Sequence, residues 1–124
     1  MTLPETLDRL ESIYDRLQRA ALSKAKPDAM EILFLRQQFA RAYIDFVKAL
    51  EADDDLEAHS RAKASLKDAL DTMRIRLMSY TMAWQPQQIE ADPAGYREAA
   101  QGIADMVGGF IAEARGQLQR VASA

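Results

Sequence analysis

His59 is the only histidine in the chain and the one side chain whose ordinary pKa suits proton transfer near neutral pH. Asp55 stands four residues before it and Lys63 four residues after it. On a helix, that spacing puts all three on one face. A carboxylate so placed can orient the imidazole and favour its charged form, which is what a phosphate-accepting or general-base histidine needs. The competing reading is structural. His59 lies on an apolar seam, so it can also mark a polar break at one end of a helical core, with Lys63 reaching outward to solvent.

The histidine on a helix of a small helical chain resembles the histidine phosphotransfer domains, which are four-helix bundles of about this size. The resemblance implies phosphotransfer through His59. That family places lysine three residues after its histidine and glycine four after. Here those positions hold Ala62 and Lys63, so the small and basic roles are displaced.

Other chemistries lack their residues. Without cysteine there is no thiol catalysis, no disulfide and no cysteine metal site. A di-metal carboxylate site needs Glu-x-x-His on two helices, and Leu56 holds the position three before His59. The acidic run Glu51, Asp53, Asp54, Asp55 and Glu57 is no calcium loop. Counted from Asp53, Ala58 and Ala64 occupy the positions where such a loop needs glycine and glutamate. No glycine-rich phosphate loop and no G-x-S-x-G occurs. The expectation is a non-enzyme with no cofactor and no metal.

The residues in question must be positioned by helices. Between Pro4, Pro27, Pro86 and Pro93 the composition is rich in Ala, Leu, Glu, Arg, Lys and Gln, all good helix formers, and nothing alternates with period two. Thr2-Leu3-Pro4-Glu5 reads as a capped start, followed by Leu3, Leu7, Leu10, Tyr14, Leu17 and Ala21 at heptad spacing. A second stripe runs Ile32, Leu35, Phe39, Ala42, Tyr43, Phe46 and Leu50. A third alternates threes and fours from Leu56 through His59 and Lys63 to Tyr80 and Trp84. Asp92-Pro93 then opens a fourth, carrying Tyr96, Ile103, Val107, Phe110 and Ala114. The expected helices cover about 3–24, 27–52, 54–85 and 93–121, with residues 87–91 as a connection holding at most one turn. Four amphipathic helices with short joints predict an all-α fold, an antiparallel up-down four-helix bundle, as one domain over 1–124.

Two stripes of small residues flank the third and fourth seams. Gly102, Gly109 and Gly116 recur every seven residues, and Ala58, Ala62, Ser65, Ala69 and Thr72 lie on the helix before. They predict close approach of those two helices or, less expectedly, a ligand groove.

One end of the chain's surface is apolar where it should be polar. Met30, Leu33 and Phe34 project away from the second seam, and Ile75, Met78 and Met82 project away from the third. Antiparallel packing brings both groups to one end, near Trp84 and Ile89. Large exposed apolar patches mark interaction sites. The reading is a protein–protein interaction module (an adaptor, a regulator or a secretion-type chaperone) that forms a homodimer or binds a protein partner through those six residues. The alternative is that residues 85–91 fold back and cover them. A ligand-binding bundle, with a pocket among Phe39, Tyr80 and Phe110, is a further alternative.

Length and charge agree with this. The chain has 124 residues, 48 % apolar and 28 % charged, which suits a single globular core. Its 16 basic and 19 acidic side chains are interspersed, giving net −3, so nucleic acid is not expected as a partner. No apolar run approaches the roughly 18 residues of a membrane span, and the N-terminal Met-Thr-Leu-Pro-Glu lacks a signal peptide's apolar core. A cytoplasmic chain that does not enter the membrane is expected.

Overall fold

The computed structural model describes residues 2–123. Among the described residues the chain is all helical and contains no strand. Six helices follow one another: α1 (Leu3–Leu22), α2 (Ala29–Ala52), α3 (Asp54–Glu57), α4 (Ser60–Ala83), α5 (Pro86–Ala91) and α6 (Pro93–Ser123).

Short polar side chains start most of them by satisfying amides that have no partner inside the helix. The Thr2 hydroxyl accepts from the Glu5 amide at 3.3 Å, and Pro4 sits in the first turn. The Asp28 carboxylate accepts from Met30 and Glu31 at 3.0 and 3.2 Å. Asp53 ends α2 and also caps α3, accepting from the Leu56 amide at 2.9 Å. Asp92 accepts from the Gly95 amide at 3.0 Å ahead of α6. A Cβ at Gly95 would meet that carboxylate, so a larger residue there makes the Asp92 side chain shift within the cap.

The expected third helix, about 54–85, is two helices with a break at Ala58–His59. A single helical turn, α3, starts one residue behind α2, and the chain completes its reversal at Ala58–His59, so that α4 runs back along α2. The His59 amide therefore bonds Leu56 O, three residues back, at 2.9 Å, and the backbone at His59 leaves helical geometry. The connection before α6 holds a helix of its own, α5, started by Pro86.

The long helices run antiparallel to their neighbours. Early α1 meets late α2 through Arg9 and Asp45 at 2.9 Å, and further along Tyr14 packs edge-on against Phe39. Late α6 meets early α1 where Arg115 pairs with Asp8 at 2.7 Å and Glu11 at 2.6 Å. Early α4 meets late α6 where Gln117 donates to Ser65 at 3.0 Å, and late α4 meets early α6 where Tyr80 stacks on Tyr96. α1 packs closely on α2 and α6, and α4 packs on α6; α2 and α4 are not a closely packed pair.

The main core joins Leu7 and Leu10 of α1, Phe46 and Leu50 of α2, Leu56 of α3, Leu66 and Met73 of α4, and Val107 and Phe110 of α6. Burying such a side chain is worth roughly 1.5–3 kcal/mol, whereas a surface ion pair such as Arg9–Asp45 contributes about 1 kcal/mol or less. Apolar burial therefore sets the arrangement. A smaller cluster of Ala21, Ala29, Ile32, Ile89, Tyr96 and Ala100 closes the end where α5 lies.

The glycine flank of α6 does not approach α4. A Cβ added at Gly102, Gly108 or Gly109 would meet nothing within 4 Å. α4 does pack on α6, and Ser65 of its own small-residue stripe accepts from Gln117, but the α6 glycines take no part, so the expectation is corrected for the glycine flank. The flank does not line a groove between the two helices either, because these glycines face open space.

Candidate functional site

Where α2 and α4 stand apart, two long side chains span the gap. Arg36 reaches across from α2 and donates through Nη1 to Trp84 O at 2.8 Å. Its guanidinium carbon lies 5.5 Å from the centre of the Tyr80 ring. Seven residues later, one side-chain repeat along the same helix face, Tyr43 donates its hydroxyl to Leu70 O at 3.4 Å. Between these two struts stands Ala40, too small to fill the space.

The result is a groove of about 490 Å³. Its floor is made by Tyr14, Leu17 and Ala21 of α1 and by Tyr96, Ala100 and Ile103 of α6. Its rim carries Ile44 of α2 and Met78 and Met82 of α4. The charged side chains lining it are Arg36 and Arg74, both cationic, with no carboxylate among them. Arg36 Nη2 is buried and has no hydrogen-bond partner. Burial pushes the Tyr80 hydroxyl well above the usual tyrosine pKa; Tyr96 adds to this and Arg36 works against it. Burial also raises Tyr14 and Tyr43. These hydroxyls therefore stay neutral at ordinary pH, and that of Tyr43 donates to Leu70 O.

Of the six residues expected to form one apolar end, Met30, Phe34, Ile75, Met78 and Met82 are each more than half exposed, and Leu33 is half-buried. Ile44, which interrupts the polar outer face of α2, is exposed as well. Met78 and Met82 line the groove, whereas Met30, Leu33, Phe34 and Ile75 lie outside it. Residues 85–91 do fold back, but only in part do they cover this end. Ile89 is buried against Ala29 and Ile32, so it belongs to the core and not to the exposed patch.

The three residues grouped around His59 are placed differently from the sequence expectation. His59 is not inside a helix but is the residue preceding α4. Its Nδ1 lies 2.8 Å from the backbone carbonyl of Asp55. That carbonyl has lost its usual amide partner, because the His59 amide bonds Leu56 O. A carbonyl can only accept, so Nδ1 carries the hydrogen and the ring seals the helix break. The exposed Asp55 thus orients the ring by its backbone and not by its carboxylate. Lys63 turns to Glu57 at 2.5 Å and Glu51 at 3.7 Å, and Lys67 also holds Glu51, at 2.6 Å. The hydrogen bond to Glu57 raises the Lys63 pKa, and the bond from Lys67 lowers that of Glu51. These contacts tie the end of α2 to α3 and the start of α4.

Arg36 and Ala40 are the groove residues that the sequence leaves unread, and Tyr43, expected on the core stripe of the second helix, is half-buried and bridges to α4. Their signal is faint but present: an arginine and a tyrosine seven residues apart along an otherwise apolar stripe. Phe39 and Tyr80, expected in a pocket, do line this one, while Phe110 lies in the main core.

Among the described residues no group of histidine and acidic side chains could hold a metal ion, and no helix is long and apolar enough to cross a membrane. Compared with protein-family models, with curated proteins and with solved structures, the chain matches none.

Proposed function

We propose that this protein is a non-catalytic interaction module, an antiparallel up-down four-helix bundle that offers the apolar side formed by α2 and α4 to a second copy of itself. The observation that carries this reading is the distribution of exposed apolar residues. The exposed large hydrophobic side chains of the described residues are Met30, Phe34, Ile44, Ile75, Met78 and Met82, and every one of them is on α2 or α4. The outer faces of α1 and α6 carry none. A one-sided distribution of this kind marks a contact surface, and methionines suit surfaces that must adapt. A twofold arrangement needs only one self-complementary patch and supports a homodimer. An adaptor or regulator role follows from such a surface when the same patch is offered to a different protein.

Sedimentation equilibrium at micromolar concentration tests the reading. The wild type should sediment as a dimer. The double variant Phe34→Lys with Met78→Lys should be monomeric with an unchanged helical circular dichroism spectrum, because both positions are exposed. A wild type that is monomeric throughout this range removes the homodimer.

A further inference from the structure

We infer that the groove between α2 and α4 binds an aliphatic carboxylate, with the alkyl chain on the apolar floor and the carboxylate on Arg36. This goes beyond self-association. It concerns the space beneath the rim, and Met30, Phe34 and Ile75 are left outside it.

Three features of the groove converge on that ligand class. The first is size. A groove of about 490 Å³ falls within the usual range for small-molecule sites, which are mostly apolar with a few placed polar groups. The second is charge. The chain has more acidic than basic side chains, 19 against 16, yet the charged residues lining the groove are Arg36 and Arg74 alone. A cationic or zwitterionic amine would find no counter-charge there. The third is the unpaired donor. Arg36 spends Nη1 on Trp84 O, while Nη2 is buried without an acceptor. A buried charged donor left unpaired is costly, and a single carboxylate oxygen on Nη2, reached once the neighbouring rim side chains shift, is its complement, since Nη1 stays with Trp84 O. The unbranched side chains of Met78 and Met82 at the rim can swing aside to admit it.

The struts also decide against a docked helix. Arg36 and Tyr43 cross the gap one side-chain repeat apart, about 10 Å along α2 at 1.5 Å per residue. A helix is itself about 10–12 Å across and would have to lie along the gap through both bridges. An alkyl chain can enter between them.

The test uses sodium decanoate, decan-1-ol and decylamine, each below its aggregation threshold, with calorimetry and amide chemical-shift mapping on the full chain. Decanoate should bind one per chain and at least tenfold more tightly than decanol, with shifts at Arg36, Ala40 and Tyr80, and decylamine should bind most weakly. Arg36→Met should erase the preference for decanoate over decanol. Ala40→Trp, at an exposed lining position, should abolish binding of all three by filling the space. Should Arg36→Met fail to fold for want of its bond to Trp84, the decanoate-to-decanol ratio on wild type and the Ala40→Trp block decide the matter. Equal binding of the three probes, shifts elsewhere, binding undiminished in Ala40→Trp, or no binding to folded wild type each overturns the inference. A dimer that ignores decanoate sinks this inference and leaves self-association standing; a monomer that binds it does the reverse.

Discussion

Tyr14 and Tyr80 keep their phenol groups largely inside the protein, and that makes them sensors of alkali. Burial pushes both well above the ordinary value of 10.0. The folded chain thus retains protons that the unfolded chain releases above pH 10.0. The stability tied to them is complete below that pH and is lost as pH rises from 10.0 toward the folded values. Each tyrosine contributes a slope approaching about 1.4 kcal/mol per pH unit in that window. Urea midpoints should be level from about pH 7 to about pH 9 and fall steeply above about pH 10, and Tyr80→Phe should lessen the fall. A midpoint that is level through this window would mean that both rings ionise freely in the folded protein. The case of His59 shows what residue types leave unsaid. Its spacing to Asp55 and Lys63 was legible, and the three residues are indeed neighbours in space. The partner atom was not legible, because it depends on a backbone break that frees the Asp55 carbonyl.

At the scale of the element, periodicity and capping residues defined three of the four long helices well. α1, α2 and the start of α6 lie within two residues of the expected bounds, since Thr2, Asp28 and Asp92 announce their starts. The seam from Leu56 to Trp84 misled because its spacing continues unbroken through the turn. Leu56 is buried, so the seam is real there, but the reversal after α2 is a tertiary demand without a local mark. The glycines of α6 misled for the opposite reason. Their sevenfold recurrence has no packing counterpart, as Gly102 and Gly109 face open space in helical backbone. Each then costs the helix about 0.5–1 kcal/mol relative to alanine. The double variant Gly102→Ala with Gly109→Ala should gain about 1–2 kcal/mol in urea unfolding with no change in association. A loss of stability, or a change in oligomeric state, would place that flank in a contact that the isolated chain does not display.

For the whole molecule, the exposed apolar side was legible from two helical projections, since five of six expected residues are open to solvent. The groove between the same helices was not. It lies where α2 and α4 stand apart and only Arg36 and Tyr43 bridge them by hydrogen bonds, and an interhelical distance has no signature in either helix alone. The central claim is that this side is where the protein meets its partner. Methionine methyl NMR in the presence of a soluble gadolinium chelate tests it most directly, because Met30, Met78 and Met82 are exposed while Met73 is in the core. The exposed methyls should be strongly relaxed by the chelate in dilute protein and protected in concentrated protein, with Met73 protected throughout. Exposed methyls that remain equally relaxed at every concentration, in a chain that nevertheless self-associates, would contradict it and place the contact on another face.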